Sequence, residues 1–310
     1  MIVEGKPHIR PCRSIPSDGN ENNEWVASIP HLYDCLTVPL PLAGASALPR
    51  PRGGNESRIA AILRAEAPWM ATAIDRIADQ CALNLWAGRP WLSLRPMLLT
   101  GPPGAGKTHL AQRIADLSGC GSALLSLAGV SSNAELAGNP RGFRHQQPCF
   151  PAMTMLKTGT ANPVVIIDEI DKAAAGNMGD PVSTLLGMLE RSTAARFFDG
   201  CLAVEIDLSH VNWILTANRI DRLPAPLLSR VDVVEVAGPG PEHAELILAT
   251  LWRDVARDVG LLPSALPGIE RGSEAALLRL FRNTRSVRRL RRAIETLVAV
   301  SARHMSRTIN

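Results

Sequence analysis

Gly101-Pro102-Pro103-Gly104-Ala105-Gly106-Lys107-Thr108 fits the spacing G-x-x-x-x-G-K-[ST] at every fixed position. Glycines at these places let backbone N–H groups curl around phosphate oxygens, where side chains would block the approach. A helix predicted from Lys107 to about Ser118 turns the positive end of its dipole toward the same anion. Lys107 is expected to reach the β and γ phosphates, and Thr108 to offer its hydroxyl to Mg2+. Every residue from Gly101 to Thr108, together with His109, is a candidate nucleotide contact. The strand that such a loop needs before it is supplied by Met97-Leu98-Leu99-Thr100.

Working outward, Val164-Val165-Ile166-Ile167-Asp168-Glu169 reads as a buried strand that delivers two carboxylates at its end. Asp168 is the expected Mg2+ partner. Glu169 is the expected base or orienter for an attacking water. Further strands are predicted at Leu124–Leu127, Trp213–Thr216 and Val231–Val236, with helices between them. Continuous apolar strands alternating with helices imply a parallel sheet covered on both faces, an α/β fold of the P-loop NTPase kind. After Gly238-Pro239-Gly240-Pro241 only helices are predicted, over 242–259, 272–283 and 286–305, which makes a small all-α lid domain. The expected organisation is an extended or partly disordered arm over 1–55, a helical linker over 56–92, the α/β domain over 93–238 and the lid over 239–310.

Composition removes other classes. Of 310 residues, 46% are hydrophobic and 20% charged, too apolar for a chain disordered throughout. No run of about 18 uncharged apolar residues exists, so a spanning helix is not expected. Residues 1–7 show no apolar h-region, and a cytoplasmic location is expected. The six cysteines form no C-x-x-C pair and the seven histidines no H-E-x-x-H, so zinc is not expected and scattered free thiols fit a reducing compartment. Asn218-Arg219-Ile220-Asp221 nearly spells the guanine-reading N-K-x-D but fails at Arg219, and Asp168-Glu169-Ile170-Asp171 lacks D-x-x-G. ATP is therefore the expected nucleotide.

The phosphate loop, the Asp168-Glu169 pair and the separate helical lid resemble an AAA+ ATPase. The stretch from Asn162 to Val236 is similar to the ATPase module of Lon-type proteases. The residues that carry this are Asn162-Pro163, Asp168-Glu169-Ile170-Asp171-Lys172, Gly179-Asp180-Pro181, Leu185-Leu186, Phe198-Asp199 with Leu202 and Val204, Asp207-Leu208-Ser209 and Pro224-Ala225-Pro226-Leu227-Leu228-Ser229-Arg230. The resemblance covers about residues 95–300. It implies that Asn218 positions the lytic water as sensor 1. It implies that Arg230 is an arginine finger acting on a neighbouring subunit, in a homo-oligomeric ring usually of six. It implies that Arg288 is the lid's sensor-2 arginine, contacting nucleotide in cis.

Lon-type proteases carry a Ser–Lys peptidase domain after the lid. No lysine follows Lys172, so a motor module without that peptidase is expected, acting on a protein partner. The family's aromatic pore loop is matched only by His145-Gln146-Gln147-Pro148-Cys149-Phe150-Pro151, in which Phe150 is the one aromatic expected to serve. Competing readings are a nucleotide-dependent switch with little turnover, an ATPase subunit serving a separate peptidase, and nucleic-acid handling. The last rests on eight arginines against one acid, Glu295, between Arg282 and Arg307. A generally Arg-rich composition, with only four lysines among 33 basic residues, and the absence of interleaved aromatics weigh against it.

Overall fold

A computed structural model describes residues 58–308, apart from positions 90, 131, 144, 175–178, 267, 268 and 270. The expected arm over 1–55, with Trp25, Tyr33, Cys12 and Cys35, lies outside the described residues. In chain order the strands are β1 (Met97–Thr100), β2 (Ser122–Ser126), β3 (Val164–Asp168), β4 (Phe197–Asp199), β5 (Val204–Ile206), β6 (Asn212–Ala217) and β7 (Asp232–Glu235). Five of these form a parallel sheet in the order β2-β3-β6-β1-β7. The helices are α1 (Arg58–Glu66), α2 (Ala71–Trp86), α3 (Lys107–Ser118), α4 (Ala134–Ala137), α5 (Phe150–Thr158), α6 (Pro181–Leu189), α7 (Arg191–Ala194), α8 (Ala225–Leu228), α9 (Ala244–Asp258), α10 (Arg271–Thr284) and α11 (Val287–Thr308). The α/β architecture with a helical C-terminal region is the fold class that the apolar runs imply.

Successive strand residues point to opposite faces, and both faces are covered. Met97, Leu99, Val164, Ile166, Ile214 and Val234 pack with Ile59, Leu63, Ile74 and Ile77 of α1 and α2 and with α3. Leu98, Val165, Ile167, Trp213 and Leu215 pack on the other face with α5, α6 and the β4–β5 segment. Residues 58–86 are therefore one layer of the sheet's core, since α1 and α2 each present an apolar stripe to it. A third core joins α9, α10 and α11 around Phe281, Leu290 and Ile294. Trp69 packs against both this core and the first.

The antiparallel pair β4–β5 was not anticipated by periodicity. Its three-residue strands are too short to show one, and what fixes the turn is Asp199. Its fully buried carboxylate accepts the backbone N–H groups of Cys149, Cys201 and Leu202 at 2.8–2.9 Å. Cys81, Cys120, Cys149 and Cys201 are all free and buried. Among the described residues no helix is long and apolar enough to cross a membrane.

Two buried amides tie the approach to β1 into the sheet. Asn212 Oδ1 accepts the Leu94 N–H at 2.7 Å, and its Nδ2 donates to the carbonyls of Asn162, at 2.9 Å, and Leu92, at 3.4 Å. Asn162 Nδ2 also donates to the Leu92 carbonyl, at 3.2 Å. Asn212→Ala would leave the buried Leu94 N–H without an acceptor. It is expected to cost about 2 kcal/mol of stability, read from the shift of the denaturant midpoint with an unchanged slope.

Candidate functional site

The strand order places three chain segments side by side at the carboxyl ends of the strands. β6 lies between β3 and β1, with Ile167 opposite Leu215 and Thr100 opposite Ala217. Asp168 ends β3, Asn218 follows β6, and residues 101–106 follow β1. A crevice outside the carboxyl ends of parallel strands is where ligands bind in open α/β sheets.

The loop is shaped by backbone that only glycine takes easily. Gly106 caps α3 at φ 95°, and a Cβ on Gly101 would lie 2.1 Å from the Val236 carbonyl oxygen. Lys107, with 6% of its surface exposed, folds back inside the turn. Its ammonium donates to the Gly101 carbonyl at 2.8 Å, the Pro102 carbonyl at 3.0 Å and Asn218 Oδ1 at 3.0 Å. Burial pushes its pKa below the usual lysine value, opposed by the nearby carboxylates of Asp168, Asp171 and Glu169. A second cation, Arg288, lies close enough to push the same way.

Thr108 Oγ1 donates to Asp168 Oδ1 at 2.8 Å, so the hydroxyl and the carboxylate expected to share a cation already face each other. Mg2+ is commonly held by one or two carboxylates plus substrate phosphates. The glycine-lined turn, the buried ammonium and this donor pair fit a magnesium–nucleotide complex. Glu169 sits in the left-handed region at φ 55°, and its carboxylate is paired with Lys172 Nζ at 2.6 Å.

Two residues that motif spacing passed over hold these groups in place. Thr216 Oγ1 donates to Asp168 Oδ1 and accepts the Glu169 N–H at 3.1 Å, so one hydroxyl fixes both acids. Asp171 accepts the backbone N–H groups of Asn218 and Arg219, each at 3.2 Å, which aims Asn218 at Lys107. The signal for Thr216 was its place at the end of an apolar strand, which alone does not separate a hydroxyl that bonds across the sheet from one facing solvent. Asp221 of the near N-K-x-D segment is paired with Arg219 at 2.7 Å on the exposed surface.

A cavity of about 210 Å³ lies beside the loop, lined by Ala105, Gly106, His109, Met70, Ile247 and Arg288 among others. It lies between the end of α1 and the turn after it on one side and α9 and α11 on the other, and its wall is mostly apolar. The Glu66–Arg113 pair, 2.6 Å apart, borders it. The Arg113 guanidinium holds the Glu66 carboxyl below its usual range.

Arg230 is not part of this assembly. It precedes β7 at the opposite end of the sheet, where Nη1 donates to the Pro226 carbonyl at 2.9 Å and Nε lies 3.5 Å from Glu190. Phe150 is partly buried against the second core, because it opens α5 on the packed side. The exposed aromatic of this region is Phe143, at 61%, which corrects the expectation that Phe150 alone was available. Of the C-terminal arginines, Arg291 pairs with Glu295 and Asp258, and Arg282 with Glu245.

Residues 97–238 match the family described as "ATPase family associated with various cellular activities (AAA)". The chain is 38% identical over 203 residues to "Lon protease homolog 1, mitochondrial" of Arabidopsis thaliana, which covers 64% of this chain and 21% of that protein. It is 43% identical over 142 residues to "Lon protease" of Methanosarcina barkeri, covering 46% of this chain and 18% of that protein. The chain thus spans about a fifth of the length of these relatives. Its fold is shared with a structure described as "Closed State CryoEM Reconstruction of Hsp104:ATPyS and FITC casein", at TM-score 0.62 and 16% identity over 80% of this chain and 48% of that one.

Thr216→Val keeps the shape of the buried strand and removes the hydroxyl between the two acids. It is expected to weaken magnesium-dependent nucleotide binding about tenfold, the loss of the hydroxyl's hydrogen bond to Asp168 being worth about 1.4 kcal/mol. Titration with a fluorescent nucleotide, with and without Mg2+, measures this.

Proposed function

We propose that this AAA domain, which resembles the Lon ATPase module, is a Mg2+-dependent ATPase that hydrolyses ATP to ADP and phosphate and uses the cycle to remodel or move a protein partner. The single observation that carries the reading is Lys107. A buried ammonium turned onto two loop carbonyls and Asn218 is a cation held ready for phosphate oxygens at the head of α3. The base takes the adjoining apolar cavity, with His109 and Arg288 on its wall.

Catalysis on this reading is positioning and charge neutralisation. Thr108 and Asp168 would hold Mg2+, which would supply neutralisation of the terminal phosphates. Asn218 orients the attacking water and Glu169 takes its proton. Lys172 Nζ occupies one of the two Glu169 carboxylate oxygens and so lowers its readiness to take a proton. Arg230 lies at the far end of the sheet from its own phosphate loop, so it acts on the nucleotide of a neighbouring copy, and the working form is a homo-oligomeric ring. Within the segment that precedes α5, Phe143 is the exposed aromatic open to contact with a protein partner. The peptidase function of the Lon relatives is not assigned to this chain.

The Glu169–Lys172 pair also favours a second reading, a switch that binds nucleotide and turns it over slowly. Phosphate release measured with and without Mg2+ separates the two.

Lys107→Ala is expected to abolish nucleotide binding. Glu169→Gln is expected to bind ATP with turnover lowered at least about 100-fold; ordinary turnover in that variant removes the base assignment. Arg230→Ala is expected to keep binding and lose turnover by about 1,000-fold or more. Full activity of this last variant as a dilute monomer removes the role in trans.

A further inference from the structure

A cavity of about 480 Å³ opens at the end of the sheet opposite the phosphate loop. Its floor is the start of the strands, at Pro96 and Val211, and one wall is the second half of α2. Arg89, Arg95, Arg191 and Arg230 line it, and the acid facing them is Glu190. Glu190 lies 3.5 Å from Arg230 Nε and is half-exposed. Arg89, Arg95 and Arg191 have no ion pair among the described residues, so the wall carries three uncompensated positive charges.

The second observation comes from inside the protein. Trp213 is 2% exposed, with its ring locked in the second core, and it lines this cavity. Among the described residues its Nε1–H has no acceptor. A buried indole N–H ordinarily finds a partner, and this one is left open on a residue that lines a polar cavity. Guanidinium forks match oxyanions in two-point contacts, and the volume falls within the range of small-ligand pockets, about 300–1,000 Å³.

We propose that this cavity binds a small oxyanion, a phosphate ester or polycarboxylate, through Arg89, Arg191 and the Trp213 N–H, at a site separate from the phosphate loop. The site stands on its own residues, whether or not Arg230 acts on a neighbour. If Arg230 does so, an anion here competes with Glu190 for its guanidinium and connects occupancy to turnover.

The test uses the full chain with Lys107→Ala, in which neither its own phosphate loop nor a neighbour's holds polyphosphate. Inorganic pyrophosphate and citrate are titrated separately by calorimetry. Saturable binding of at least one, with a Kd below about 1 mM, is expected, falling at least tenfold when Arg89→Ala and Arg191→Ala are added. Pyrophosphate alone binding assigns a phosphate ester, and citrate alone a polycarboxylate. Trp213→Phe keeps the ring, drops the N–H and is expected to weaken binding severalfold. If that variant fails to fold, the two surface arginines decide the matter alone. No saturable binding of either anion, or binding indifferent to Arg89 and Arg191, overturns the site. A failed nucleotide assay leaves this outcome untouched, because Lys107 is already absent.

Discussion

A lysine ammonium removed from water has to be surrounded by oxygen, and the loop between β1 and α3 is built to satisfy that demand. Burying a charge is costly unless it is paired and hydrogen-bonded. Lys107 meets the condition with two loop carbonyls and the Asn218 amide, and its three acceptors come from two chain segments more than a hundred residues apart. That single ammonium thereby fixes the curl of the loop, the position of the β6 exit and the charge presented at the strand ends. Phosphate oxygens would replace backbone oxygens around it without asking for a new environment.

Everything that positions this group follows from a sheet apolar on both faces. Because α1 and α2 cover one face and α5 and α6 the other, the strand interiors have no polar way out except at their ends. Polar side chains consequently gather at the two edges. The carboxyl edge carries Thr108, Asp168, Thr216 and Asn218, while the opposite edge carries Asn212, Glu190 and a cluster of arginines. A parallel sheet has two such ends, and in this chain both are chemically equipped.

The legibility of the sequence divides along the same physical line. Strands whose neighbours lie on both sides, such as Val164–Asp168, show as unbroken apolar runs, and the loop and acids at their ends are adjacent in sequence to those runs. The edge strand β2 was harder: Leu124–Leu127 was the apolar segment, but pairing runs from Ser122 to Ser126, since an edge position leaves alternate side chains in solvent and Leu127 turns into the core beyond it. The β4–β5 turn was invisible because a buried carboxylate taking three N–H groups, and not a periodic pattern, holds it. Thr216 and Asp171 act through residues some 47 positions away, and separations of that kind leave no local mark. Phe143 and Phe150 are seven residues apart, one in the loop and one at the start of α5, and which of them is packed depends on where that helix begins.

Trp69 belongs to two hydrophobic cores at once, and its ring lies 5.1 Å from that of His243 at the root of the lid. That shared contact joins the packing of the C-terminal helices to that of the sheet across the proline- and glycine-rich connection between them, so loosening of one layer is felt by the other.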